Sequence, residues 1–215
     1  MNQMFYFKIM NNKADAVMIF LFLLLVPALV SGPFLPDAFL SIIGLIFLIK
    51  SFFKKDLIIY YDKKFSLIFL TFFSTIIISS TLSDDILSSF ESSLFYFRFY
   101  FFSIGVFYLL SKYTFIQKYF LLISLITLCF LSIDSIYQTL FKSSMFLSLP
   151  LQNEFRASSL FGEELKLGNF IVRLLPLIYA LLTINLYKNK FIIFIIILLG
   201  SSILVSGERT ALGLL

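Results

Sequence analysis

The chain of 215 residues contains no histidine, no tryptophan and one cysteine. The absence of histidine excludes imidazole acid–base catalysis and imidazole metal ligands from this stretch of sequence. The single Cys129 excludes an internal disulfide framework and a cysteine metal cluster, and its apolar neighbours predict a small buried side chain. Charged residues are scarce as well, at 13% of the chain, against roughly 25% in soluble domains. This composition is not that of an ordinary soluble domain.

Long apolar runs take the place of the missing charge. Hydrophobic residues make up 60% of the chain, and the mean hydropathy is +1.00. A helix that crosses a bilayer needs about 17–25 mostly apolar residues, and lipid offers no partner to unpaired backbone groups. The sequence therefore predicts an all-α fold, a polytopic integral membrane helical bundle forming a single transmembrane domain over residues 1–215. We expect seven transmembrane helices and the start of an eighth at Thr210. The predicted spans are Ala16–Ser31, Phe34–Phe53, Phe65–Leu82, Leu94–Leu110, Tyr119–Ile136, Leu167–Tyr187 and Phe191–Val205.

The first apolar run has a second interpretation. Lys8 and Lys13 precede it and the small residues of 28–32 follow it, a pattern that is also found in cleaved secretory signals. We favour a retained first span, and the class of protein is the same in both cases.

The lysines predict the orientation of the chain in the membrane. Eleven of the thirteen lysines fall in alternate connections, on one side of the predicted bundle. The positive-inside rule makes that side cytoplasmic and places the N-terminus there. In a membrane protein the side that each charge faces is more informative than the net charge of +5, and we expect no nucleic-acid partner. The eleven lysines are Lys8, Lys13, Lys50, Lys54, Lys55, Lys63, Lys64, Lys112, Lys118, Lys188 and Lys190.

The four arginines break this pattern, because all of them fall at or near the predicted outer side. One interpretation is that they extend to the lipid headgroups or pair with outer acids such as Glu91 and Glu208. The other is an anion site, since guanidinium binds phosphate oxygens in a bidentate way that ammonium does not match. Such a cluster at the outer leaflet suits a pyrophosphate whose lipid tail lies in the bilayer. The four residues are Arg98, Arg156, Arg173 and Arg209.

Another charged residue falls near the outer end of the fifth predicted span. We expect Asp134 to lie at the membrane interface, and the alternative for it is a basic or acceptor-orienting role. The longest connection follows, over roughly residues 137–166, and connections of more than about 12–15 residues are usually functional or disordered. On the predicted topology this is a periplasmic loop.

The end of that loop and the end of the chain carry two motifs. An arginine, small residues, a Phe-Gly turn and a Gly-Asn pair lead into the sixth span, and an SG-x-R-T-A element follows the seventh. With the aromatic FYFRFYFF segment around Arg98, these features resemble the O-antigen ligase and O-antigen polymerase superfamily of bacterial inner-membrane glycosyltransferases, over about residues 90–215. The matching positions are Arg156, Ser158, Phe161, Gly162, Gly168, Asn169, Ser206, Gly207, Arg209, Thr210 and Ala211.

The resemblance implies transfer of a glycan from undecaprenyl pyrophosphate to an acceptor hydroxyl at the periplasmic face, without a metal or other cofactor. The acceptor would be a glycan or the lipid A core. Arg156 and Arg209 would bind the pyrophosphate, with Arg98 and Arg173 assisting them. Four further residues would shape the loop: Ser158, Gly162, Gly168 and Asn169.

This chain departs from the family pattern after the seventh span. Family members carry a large periplasmic loop with a histidine in the half that follows, and this sequence has neither. The catalytic residue is therefore unassigned, and we expect an inactive N-terminal fragment of a longer enzyme. Three alternatives stay open: another glycosyltransferase that uses the same carrier, a transporter or flippase for an anionic or lipid-linked solute, and a structural membrane subunit.

Overall fold

The computed structural model describes residues 13–145, 156–162 and 166–215. Within these residues the secondary structure consists of helices and contains no strand. Six helical segments are long and apolar enough to cross a membrane. The prediction of an all-α multi-pass membrane protein is confirmed.

The helices are, in chain order, α1 (Lys13–Leu23), α2 (Leu25–Val30), α3 (Phe34–Phe53), α4 (Lys63–Thr81), α5 (Ile86–Leu94), α6 (Phe97–Lys112), α7 (Phe115–Phe141), α8 (Leu167–Ile184), α9 (Asn189–Ser206) and α10 (Arg209–Leu214), with 3₁₀ helices at Lys55–Tyr60 and Ser159–Phe161.

Five of the predicted spans lie close to single observed helices. The bounds of α3 are those predicted, and α8 begins at the predicted Leu167. The predicted fourth span lies within α6 except at its first residues, where α5 ends and a short turn follows. The segment Ile86–Lys112, which includes both helices, is long and apolar enough to cross a bilayer.

The first predicted span is interrupted. Helix α1 ends at Leu23, a turn follows at Leu24, and α2 continues to Val30. Pro27 explains the position of the break, because a proline ring clashes with the carbonyl of the residue four positions earlier, here Leu23. Neither short helix is among the six segments long enough to cross a membrane.

Helix α7 is longer than its predicted span. It continues to Phe141, so the start of the predicted loop at residue 137 is wrong and the connection begins at Lys142. The Asp134 carboxylate and Gln138 Oε1, near the end of α7, accept hydrogen bonds from the connection, as described below. Residues 146–155 and 163–165 of the loop, with Glu154, Glu163 and Glu164, lie outside the described residues.

The described chain divides into two compact units. The first unit contains residues 13–25 and 33–116, and the second contains residues 26–32 and 117–215. In the first unit α3 packs against α6 and α1, and α4 packs against α5. The fully or almost fully buried apolar residues of its core include Met18, Ile43, Phe47, Ile104 and Leu109.

A buried carboxylate joins three helices of the first unit. Asp15 of α1 has no exposed surface, and its oxygens accept hydrogen bonds from Lys50 of α3 and from Lys112 Nζ of α6, the latter at 2.9 Å. The hydroxyls of Tyr108 and Tyr113 donate to it at 2.9 and 2.8 Å. Burial alone raises the pKa of Asp15, but the hydrogen bonds from the two lysines and from Tyr113 bring that pKa below its ordinary value. We call this group of five side chains the Asp15 cluster.

The second unit contains α2 together with α7, α8, α9 and α10. Helices α8 and α9 pack against each other, and α10 returns against α8. The core along these helices includes Leu128, Leu131, Ile171, Leu182 and Leu199. Most of the residues that the sequence singles out belong to this unit.

Candidate functional site

The corner between α9 and α10 carries the SGERTA motif. Gly207 ends α9 in the left-handed conformation, with φ 63°, and Glu208 stands as the N-cap before Arg209 begins α10. The chain therefore turns within two residues, and Glu208, which is buried, and Arg209, which is exposed, follow each other at this turn.

Glu208 is turned inward and stabilises the start of α8. Its side chain is almost completely buried, and its two carboxylate oxygens accept the backbone N–H groups of Gly168 and Asn169, each at 3.1 Å. The first N–H groups of a helix lack partners within that helix and carry partial positive charge, so a carboxylate is stabilising there. The N-cap residue of α8 itself, Lys166, makes no side-chain capping bond.

Gly168 allows this contact because the two chain segments approach closely. A methyl group at Gly168 would collide with the Ser206 hydroxyl and would lie 3.1 Å from the Cβ of Ala211. The neighbouring Asn169 accepts a hydrogen bond from the Thr210 hydroxyl at 3.2 Å. Both residues predicted to shape the loop therefore join the start of α8 to the α9–α10 corner.

Arg156 binds to the same corner from the connection. Its Nε donates to the backbone carbonyl of Ser206 at 3.3 Å, and the N–H of Ala157 donates to the carbonyl of Val205 at 3.4 Å. The last carbonyls of a helix have no partner within it, and cations are favoured at that end. The Nη groups of Arg156 donate to no residue in the described part of the chain. Arg156 is thus held at Ser206, three residues before Arg209, so both arginines belong to the α9–α10 corner.

Two residues of α7 hold the connection in place. The Asp134 carboxylate accepts from the Ser144 hydroxyl at 3.1 Å, from the N–H of Met145 at 2.8 Å and from the Ser159 hydroxyl at 2.6 Å. Gln138 Oε1 accepts the N–H groups of Ser158 and Ser159, at 3.1 and 2.9 Å. Asp134 has no exposed surface, so the structure buries within the second unit the carboxylate that we expected at the membrane interface.

The backbone next to these contacts is unusual. Ser159 has a positive φ of 50°, which is uncommon for a residue other than glycine. The bonds from Asp134 and Gln138 compensate for the cost of this conformation. Gly162 follows with φ 57° and ψ −121°, which residues with a Cβ rarely adopt. Ser158 and Gly162 therefore both belong to this turn, one through its N–H group and the other through its backbone conformation.

The other two arginines lie elsewhere in the fold. Arg173 is exposed on α8, one helical turn after Asn169. Arg98 lies on α6 in the first unit, where its Nη2 donates to Asp37 Oδ2 at 2.9 Å, and its buried Nε has no partner within the described residues. The assisting roles of these two arginines stay predictions.

The expected pairing of an arginine with an acid of the predicted outer side is found for Arg98, whose partner is Asp37, but within the described residues it involves neither Glu91 nor Glu208. Within 13–145, 156–162 and 166–215, the one ion pair of an arginine is that of Arg98 with Asp37. The Glu208 carboxylate accepts backbone N–H groups at the start of α8, and Glu91 is exposed. Arg156 and Arg209 therefore keep their charge without a carboxylate partner in that part of the chain.

The sequence interpretation missed the role of Gln138. Asp134 and Gln138 are four residues apart on α7, a spacing that places both on one face. Polar residues within a membrane helix usually face the protein interior and have a function there. That spacing was a signal for a paired role, and the structure places both residues at Ser159.

Comparison with protein-family models, with curated proteins and with solved structures finds no significant match to this chain. The function is therefore argued from the residues of the site.

Proposed function

We propose that the chain supplies the donor-binding part of a membrane glycosyltransferase of the O-antigen ligase or polymerase type. It binds a glycan that is linked to undecaprenyl pyrophosphate and takes part in its transfer to an acceptor hydroxyl of a glycan or of the lipid A core. The proposed location is the bacterial inner membrane, with the N-terminus cytoplasmic and the α9–α10 corner at the periplasmic face. The observation that supports this most is the placement of Arg156 and Arg209 at one corner without a carboxylate partner in the described chain.

The hydrogen bond of Arg156 restricts its side chain through Nε, and among the described residues its Nη groups have no partner. Nε donates a hydrogen bond to the Ser206 carbonyl. The two Nη groups are the donors that bind oxyanions in pairs. Because the bond to Ser206 restricts the side chain in advance, less conformational entropy is lost when a diphosphate binds.

The position of Glu208 supports the same proposal. A carboxylate next to Arg209 in sequence would ordinarily weaken an anion site, because it would repel the ligand and pair with the guanidinium. Its two oxygens instead accept the N–H groups at the start of α8. The corner therefore remains cationic.

In the proposed reaction, the bond between the anomeric carbon and the pyrophosphate oxygen breaks, and a bond from the same carbon to the acceptor oxygen forms. Arg156 and Arg209 stabilise the negative charge that develops on the departing pyrophosphate, which is the largest electrostatic requirement of the step. The acceptor hydroxyl loses its proton, and no residue of this chain is assigned to that transfer.

Binding tests the proposal directly and does not require turnover. The chain is reconstituted in nanodiscs, and the affinity for undecaprenyl pyrophosphate is measured for the wild type and for the variants Arg156→Lys and Arg209→Lys. Each variant keeps the charge and loses the paired donors, so we expect about a tenfold or larger loss of affinity, the value of one charge-assisted hydrogen bond. Lys190→Gln, on the opposite predicted side, serves as the control and should bind like the wild type.

Two results would contradict the proposal. Unchanged affinity in both arginine variants would remove the assigned role of the corner. Equal binding of a soluble pyrophosphate and the lipid-linked one, together with its movement across a vesicle membrane, would favour a transporter for an anionic solute.

A further inference from the structure

The Asp15 cluster of the first unit holds more positive than negative charge. One carboxylate, that of Asp15, accepts from two ammonium groups, those of Lys50 and Lys112. Lys54 adds a third cation one helical turn after Lys50, at the exposed C-terminal end of α3. The nearby Asp56 is exposed and forms no ion pair within the described residues. In the described part of this end, one paired carboxylate therefore faces three lysines.

The side chain of Lys112 is the accessible part of this cluster. It is 38% exposed, while that of Lys50 is 10% exposed and that of Asp15 is not exposed at all. The Lys112 ammonium group lies 5.1 Å from the ring centres of both Tyr108 and Tyr113. Aromatic faces and the Asp15 carboxylate fix the position of this cation, so an incoming anion meets an ordered group.

An apolar cavity adjoins the cluster within the same unit. Its volume is about 310 Å³, which is in the range of about 300–1,000 Å³ found for small-molecule pockets. Tyr60 connects the two features, because its ring lines the cavity and packs edge-on against Tyr108 with the ring centres 5.2 Å apart. The cavity is lined by Tyr60, Asp62, Phe65, Ser103, Ile104 and Phe107.

The two features follow each other along α6. Ile104 and Phe107 line the cavity, and Lys112 ends the helix, so about 12 Å separates Ile104 from Lys112 at 1.5 Å per residue. The charge of Asp62, at the cavity, is directed to the start of α4, where its carboxylate accepts the N–H of Lys64 at 3.2 Å. A cationic cluster next to an apolar cavity matches an amphiphile with an anionic head and a hydrocarbon chain.

We propose that this part of the first unit is a binding site for an anionic glycerophospholipid. The phosphate lies at Lys112 and Lys54, and one acyl chain enters the cavity beside Phe107. Exposed apolar side chains next to the lysines, Phe52 at 79% and Phe53 at 84%, place this end of the unit at the lipid boundary, which selects a membrane lipid over a free phosphate. Basic pockets between transmembrane helices bind anionic headgroups in this way. The site is separate from the α9–α10 corner and does not depend on the proposed glycan transfer.

The headgroup part is tested by lipid competition on the full chain in nanodiscs. Retention of dioleoyl phosphatidylglycerol against dioleoyl phosphatidylcholine is measured by native mass spectrometry. We expect a preference for phosphatidylglycerol that falls about fivefold in Lys112→Gln, the equivalent of about 1 kcal/mol for each lysine near a headgroup. Lys54→Gln should show a similar loss and lies outside the hydrogen bonds of Asp15, so it replaces Lys112→Gln if that variant does not fold. Lys188→Gln, in the second unit, should retain the preference.

The acyl-chain part is tested by filling the cavity. Ser103→Leu places apolar volume in the slot and should lower the retention of phosphatidylglycerol severalfold, whereas Ser103→Ala leaves the space open and should bind like the wild type. Equal retention of the two lipids by the wild type would overturn the proposal. So would unchanged retention in both Lys54→Gln and Ser103→Leu, or glycerol phosphate in solution displacing the lipid at equal concentration.

Discussion

The buried carboxylates of the two units accept hydrogen bonds from different kinds of donor. In the first unit Asp15 accepts from two ammonium groups and two phenol hydroxyls. In the second unit Asp134 and Glu208 accept only from hydroxyls and backbone N–H groups in the described chain. The first arrangement joins helices through charge. The second fixes the backbone around the α9–α10 corner, where Arg156 and Arg209 have no carboxylate partner among the described residues.

The difference has energetic consequences. A buried charge that loses its partner costs several kcal/mol, because it has no water to replace the lost contact. A backbone N–H that loses its acceptor costs less, about 1–3 kcal/mol. Mutation of a buried acid should therefore lower the free energy of unfolding more in the first unit than in the second.

The largest effect is expected for Asp15→Ala. This change removes the anion between Lys50 and Lys112, and breaking a buried charge pair from one side typically costs about 3–5 kcal/mol. The free energy of unfolding, measured by titration with a denaturing detergent, should fall by about that amount. Asp84→Ala, in an exposed turn, is the control and should change little. An effect of Asp15→Ala no larger than the control would contradict the charge-based account of the first unit.

Acid pH tests the same residue. The pKa of Asp15 is lower in the fold than its ordinary value of 3.8, so its contribution to stability is present above that value and is lost as the pH falls through the lower folded pKa. The difference in unfolding free energy between wild type and Asp15→Asn should accordingly shrink at acid pH. A difference that is constant from neutral pH down to acid pH would exclude the ionised carboxylate as its source.

An intermediate effect is expected for Glu208→Ala. Two N–H groups at the start of α8 lose their acceptor, and loss of a helix cap costs about 0.5–2 kcal/mol. Hydrogen exchange at Gly168 and Asn169 should accelerate, while exchange in the middle of α8 should not. Glu208→Gln keeps one acceptor oxygen and should lie between Ala and wild type. The exposed Glu91→Ala is the matched control, and equal exchange at Gly168 in the two Ala variants would contradict the capping role.

The smallest effect is expected for Asp37→Ala. The pair with Arg98 has side chains that are 51% and 30% exposed, and exposed ion pairs contribute about 0–1 kcal/mol. Added salt should reduce even that contribution. If Asp37→Ala lowered the free energy of unfolding as much as Asp15→Ala, the exposure of a carboxylate would not determine its contribution to the stability of the first unit.

Much of the fold could be predicted from the sequence, because bilayer-crossing helices follow from run length and apolar composition alone. This is why the bounds of α3 agree with its predicted span. The break at Leu23 was missed because the apolar run continues through Pro27, and run length takes no account of a missing N–H group. Proline position would have located it.

The site could be predicted only in part. The motif located Arg156, Gly162, Gly168 and Arg209, but the partner of Glu208 is about forty residues earlier in the chain, and no local pattern encodes such a contact. The same holds for Gln138 and Ser159, which meet because the connection folds back onto α7. Contacts between distant segments depend on packing, which local spacing does not contain.

Helix α4 shows how a lipid environment affects the constraints on sequence. Only 6% of the residues in the most apolar stretch of α4 are buried within the protein. Leu67, Ile68 and Leu70 are each about two-thirds exposed. Hydrocarbon tails are as apolar as leucine, so exchanging one of these residues for another of similar hydrophobicity alters almost nothing in its surroundings. In related sequences we expect α4 to keep its length and hydrophobicity, while the identities of its lipid-facing residues vary.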